Sequence, residues 1–198
     1  MDILFQFSIL IAINMGIAVL AGLVFGKTHL LDEKHSKLPE WVRGMLGALI
    51  FGIFSIIGTA TSMNFNGALL NVRDAPVIAG GVWFGPVVGI GAAVIGAGYR
   101  FLLGGPTMIP CCLATLIAGI LASVLYVWFR PLITVLTATL IAVIVGLIHM
   151  ILMLMLTADG MGLYLVMETP TAVGILILVT ASVAVFSKMY ELSSRKAA

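Results

Sequence analysis

Two arginines stand in apolar surroundings in this 198-residue chain: Arg73 in N-V-R-D-A-P and Arg100 in G-Y-R-F-L-L-G-G, with W-F-G-P-V-V-G between them. A guanidinium at the edge of a hydrocarbon core persists where it meets an anion, a carbonyl cluster or water. Two of them forked onto one carboxylate would give charge-assisted, bidentate recognition, each good bond contributing about 1.5–3 kcal/mol, and lysine would be a poorer substitute. The chemistry these residues suggest is therefore capture of a small acid. Asn71 can orient Arg73, meet a ligand carbonyl, or cap a helix. Gly104 and Gly105 expose amides where the next helix opens, a half-positive site that complements the arginines. Each arginine also has a bland reading: Arg100 can snorkel to headgroups between Tyr99 and Phe101, and Asp74 can neutralise Arg73.

Other chemistry finds no support. There is no spaced Ser-His-Asp set, no metal-type Cys/His spacing and no phosphate loop, so the chain reads as neither an enzyme nor a metal or cofactor carrier. Cys111 and Cys112 are adjacent, which suits neither a normal disulfide nor a metal motif; they read first as small buried hydrophobes. Thr107 and Thr115 can bond back to their own helices. His149, among Leu, Ile and Met, reads as a buried neutral imidazole bonded to a facing helix, and Glu168 as a counter-charge or a headgroup-layer residue. A net charge of +2 carries no hint of nucleic acid.

The elements that must position these groups are membrane helices. At 62% hydrophobic and 9% charged, with mean hydropathy +1.22, the chain is too apolar for a water-soluble globule of this length, and a single all-α polytopic bundle is expected. The expected divisions are a leading helix and polar loop at 1–41, a core at 42–187 and a basic tail at 188–198. The opening run reads as a retained helix, since Asp2 replaces a basic start and no small-residue cleavage site follows. Six apolar segments, about 3–26, 42–63, 76–103, 108–129, 131–156 and 163–187, are each long enough to cross a core of roughly 30 Å. Their many Gly and Ala residues let helices approach closely where lipid supplies no hydrophobic drive.

The third segment decides the function. As one rod, the 27 residues from Arg73 to Arg100 span roughly 40 Å, which puts the two side chains on opposite faces. Pro86 disfavours helical geometry at Gly85, so Gly85-Pro86 is expected to close a turn and fold the segment into a helical hairpin. Charge supports the hairpin. With it, Lys27, Lys34, Lys37, Arg43, Arg130, Lys188, Arg195 and Lys196 share one face, and only Arg73 and Arg100 lie opposite. By the preference of basic loops for the cytoplasm, the C-terminus is expected inside and both arginines in the outer half. The short helix before Gly85 must then be shielded by its neighbours, because irregular backbone cannot face lipid.

These residues, N-x-R at 71–73, G-P-V-V-G at 85–89 and R-x-x-x-G-G at 100–105, resemble the bacterial LytS-type five-transmembrane receptor domain, over roughly Gly44 to Phe186. The resemblance implies an inner-membrane domain that senses an extracytoplasmic metabolite, typically a small carboxylate such as pyruvate, for a cytoplasmic histidine kinase or diguanylate cyclase. It implies ligand roles for Arg73, Arg100 and Cys111. Ala114 departs from the pattern where relatives carry a hydroxyl, although Thr115 is adjacent. Thr171 stands before Gly174 where relatives often have Asn. With the chain ending at S-S-R-K-A-A, a standalone sensor, a partner for a separate output protein, or a receptor cut from a longer chain is expected. Homodimerisation fits a receptor that drives a kinase. A second class stays open, because the G-P-x-x-G-x-x-x-G stretch also resembles the substrate-binding membrane subunits of energy-coupling-factor uptake transporters.

Overall fold

The computed structural model describes residues 3–32, 36–65, 68–157 and 171–197. In chain order these form α1 (Ile3–Thr28), α2 (Glu40–Ala60), a two-stranded antiparallel hairpin of β1 (Met63–Phe65) and β2 (Ala68–Leu70), α3 (Asp74–Phe84), α4 (Pro86–Leu103), α5 (Met108–Phe129), a 3-10 turn (Arg130–Leu132), α6 (Val135–Leu156) and α7 (Thr171–Ala197). All except α3 among the α-helices are long and apolar enough to cross a membrane. The polytopic helical bundle expected from the apolar segments is therefore what forms. The β-hairpin was not anticipated: the alternation in Ala68-Leu69-Leu70 buries Ala68 and Leu70 and leaves Leu69 half-buried, a period of two too brief to stand out beside long helices. Glu168 and the side chain of Thr171 lie outside the described residues.

The third apolar segment breaks where expected. Gly85, at φ +93° and ψ −174°, occupies a region that essentially only glycine enters, and Pro86 starts α4 at the first helical position, where its missing N–H costs nothing. The two arms return antiparallel and very close: a Cβ at Gly89 would lie 2.6 Å from the Gly81 Cα and 2.9 Å from the Ser123 hydroxyl. No residue of α3 is exposed, so the 11-residue helix is screened by its neighbours as its short length requires.

Small residues set the remaining contacts. Gly44, Gly47 and Gly52 of α2 lie against Val87, Val88 and Ile95, which makes α2 and α4 parallel. Gly22 and Gly26 of α1 lie against Phe186, Met189, Tyr190 and Ser193 of α7, and Gly174 against Phe7, so that pair is parallel too. Phe25, Phe51, Phe84, Phe186 and Tyr190 form one aromatic cluster beside the turn, and the Trp83 indole N–H donates to Ser187 Oγ at 2.9 Å. With Gly85 against Tyr126 at the end of α5, the turn lies at the end of the bundle that also carries Arg43, Arg130 and the basic end of α7. Arg73 packs against Gly58 near the far end of α2, and Arg100 lies one turn beyond Gly96, which faces Ser55. Both arginines therefore sit in the opposite half, in one layer.

Candidate functional site

Arg73 precedes α3 and Asp74 is its first residue, held by a turn in which the Asn71 amide N–H donates to Leu69 O (3.2 Å) and the Asn71 carbonyl accepts from Arg73 N (3.4 Å). Asn71 thus braces the backbone ahead of the helix instead of capping it by the usual bond to its second or third residue. Arg73 and Arg100 are both fully buried, the two largest side chains that are. Burial of a charge is tolerated where it is paired and hydrogen-bonded.

Thr115, on the second turn of α5, is the hub of the Arg73 arrangement. Arg73 Nε–H donates to its hydroxyl at 2.7 Å, and that hydroxyl lies 2.6 Å from Asp74 Oδ1 and 3.0 Å from Cys111 O. The single hydroxyl proton goes to the carboxylate, the stronger acceptor. Asp74 Oδ1 is also 3.8 Å from Arg73 Nε, and its second oxygen accepts from His149 Nδ1 at 2.9 Å, tying α3 to α6. The facing-helix partner expected for His149 is therefore a carboxylate. Cys111 stands between Arg73 and His149 and faces both.

Arg100 is held separately, at the end of its own helix. One terminal nitrogen donates to Gly104 O and the other to Thr107 Oγ1 at 3.0 Å, while Gly104 (φ +66°) and Gly105 (φ +92°) bend the chain so that these acceptors face it. Cys112 lies within electrostatic reach of both arginines. Arg73 Nη1 and Nη2 and Arg100 Nε are buried donors with no hydrogen-bond partner among the described residues. Each donor left so costs about 1–3 kcal/mol, more when charged, which makes this layer receptive to a group carrying acceptors.

A cavity of about 70 Å³ adjoins the Arg73 side, its polar wall made by Asn71, Asp74, Cys111 and His149. Arg73 lies one layer behind that wall, in contact with Asn71 and Asp74 and beside Cys111. Arg100, Thr115, Gly104 and Gly105 do not line the cavity. By sequence alone Asp74 reads as a local neutraliser of Arg73 and His149 as an imidazole bonded to a facing helix, and nothing places either at the cavity they line. The rarity of ionisable groups within apolar runs was the signal that marks them. Among the described residues no cluster of His, Cys, Asp and Glu could hold a metal.

Comparison with known proteins matches this chain to a family described as 5TMR of 5TMR-LYT, over residues 27–192. Sensor histidine kinase YpdA of Escherichia coli K12 is 40% identical over 76 residues, 37% of this chain and 14% of that kinase. Sensor protein LytS of Bacillus cereus is 23% identical over 176 residues, 79% of this chain and 30% of LytS. Sensor histidine kinase BtsS of Escherichia coli K12 is 31% identical over 78 residues, 39% of this chain and 14% of BtsS. The chain thus spans less than a third of the length of the curated relatives it matches. No solved structure matches it. The matched region is a membrane sensory domain and not a catalytic one, and the chain belongs to the 5TMR-LYT family of receptors.

Proposed function

We propose that this chain is the sensory input of a bacterial signalling system and binds a small monoanionic carboxylate, pyruvate or a related short acid, between Arg73 and Arg100. The observation that carries the reading is the fully buried Arg73 whose two terminal nitrogens have no partner among the described residues, in the same layer as an Arg100 whose Nε has none. Formal charge supports an anionic ligand: in this layer two guanidinium groups stand against the single carboxylate of Asp74. Thr115 and Asp74 orient Arg73, Thr107 with Gly104 and Gly105 orients Arg100, and Cys111 and Asn71 bring a thiol and an amide to the wall nearest Arg73.

In this proposal the domain lies in the inner membrane with its basic end and C-terminus in the cytoplasm, because eight basic residues favour that side. Ligand enters from outside and favours one packing of α3 and α4 against α5. The aromatic cluster and the Trp83–Ser187 bond pass that bias to α7, and so to a cytoplasmic kinase or cyclase, with a homodimer as the signalling unit. The names of the sensor histidine kinases YpdA and BtsS support a kinase output over uptake, and that of the sensor protein LytS supports sensing.

The test is a thermal-shift and calorimetric panel of short acids on the purified chain in nanodiscs, beside neutral amides of the same acids. Expected is stabilisation by an acid and none by its amide, with affinity lowered tenfold to a hundredfold in Arg73→Gln and Arg100→Gln, and only partly restored by lysine. Equal shifts with acid and amide overturn the reading.

A further inference from the structure

The cavity beside Arg73 is polar on one wall only. Among the described residues the remaining wall is apolar and includes Val145, Met150 and Met153 of α6, Ile175 and Leu176 of α7, and Leu70 of β2. A site built for the smallest acids alone would have no use for such a wall, since their polar atoms would be spent at the arginines. We infer that the cavity receives an apolar tail of the ligand, so that the preferred acid is a monocarboxylate with a short alkyl chain. The inference rests on the carboxylate reading of Arg73.

The surroundings of the cavity support it. Two of the polar wall residues lie at the Arg73 guanidinium, Asp74 3.8 Å from its Nε and Cys111 beside it, so an acid meeting the guanidinium lies next to the cavity. Both oxygens of Asp74 are already engaged, one by Thr115 and the other by His149, so that carboxylate does not call for a donor on the tail. Asp74 places the protein's own carboxylate on the cavity wall, which disfavours a second carboxylate on the ligand. A volume of about 70 Å³ accommodates a few water-sized groups and no long acyl chain. Methionines at 150 and 153 add unbranched, adaptable surface that suits alkyl groups of varied shape.

The experiment is a calorimetric series on the full chain in nanodiscs with acetate, propanoate, butanoate, pentanoate, hexanoate and octanoate, with succinate as the dianion, repeated on Ile175→Phe and Arg73→Gln. Affinity is expected to rise about fourfold per methylene, the equivalent of about 0.8 kcal/mol, up to four to six carbons, and to fall at octanoate. Succinate is expected to bind at least tenfold more weakly than butanoate. Ile175→Phe, which narrows the cavity from a half-buried position, is expected to abolish the gain beyond propanoate and leave acetate unchanged. Affinity that is flat or falls from acetate upward overturns the tail inference alone. A loss in Ile175→Phe that is equal for every acid overturns it too, as does octanoate binding best. Binding of the whole series that survives Arg73→Gln unchanged, or absence of binding by every acid, overturns the carboxylate reading beneath it.

Discussion

Replacing Thr115 by valine removes one oxygen and keeps the shape, which isolates the hydroxyl on which the site turns. In the native arrangement that hydroxyl accepts from Arg73 Nε at 2.7 Å and donates to Asp74 Oδ1 at 2.6 Å. Neutral side-chain bonds between membrane helices average only about 0.6 kcal/mol. Here both partners are ionised and fully or nearly buried, and bonds to charged groups contribute about 1.5–3 kcal/mol each. Valine would forfeit both. Part is recovered if Arg73 and Asp74, already 3.8 Å apart, close to a direct contact. The net expectation is a loss of about 2–4 kcal/mol from the bundle, together with at least a tenfold weaker affinity for acids as Arg73 loses its orientation. Reversible unfolding in mixed micelles measures the first and calorimetry the second. Thr115→Ser, which retains the hydroxyl, is expected within about 1 kcal/mol of the native chain. A Thr115→Val protein as stable as the serine variant, with native affinity, would show that the hydroxyl does not organise Arg73.

Two further predictions address the other parts of the design. Asp74→Asn raises the formal charge of the arginine layer from one to two positive charges, so succinate should gain roughly tenfold or more relative to butanoate even as the bundle loses stability through the His149 contact, and an unchanged ratio in competition binding would remove Asp74 from selectivity. Gly85→Ala places a side chain at φ +93° with its Cβ 3.0 Å from Tyr126 Cε1, which should cost about 2–4 kcal/mol, whereas Pro86→Ala should cost under about 1 kcal/mol, both read by unfolding in mixed micelles; equal costs would mean the turn does not depend on glycine.

The residues themselves carried the bundle, the number of spans and the broken third segment. Lipid as solvent admits few spanning architectures, so long apolar runs imply helices, and Gly85-Pro86 within such a run is a local steric fact that needs no neighbours to be read. Arg73 and Arg100 were legible for the same reason: a charge amid hydrocarbon is costly wherever the chain goes. Their partners were not. Thr115 lies 42 residues from Arg73 and His149 lies 75 from Asp74, and these contacts exist because α5 and α6 bring those positions to the start of α3. Nor could spacing reveal that the two terminal nitrogens of Arg100 would be held within seven residues of itself by Gly104 and Thr107, while Arg73 draws on other helices. Helix rotation within the bundle made these choices. It is governed by which small residues meet, Gly81 with Gly89 and Gly119 with Ala93, and that pairing is a property of packed surfaces and not of any one stretch of chain.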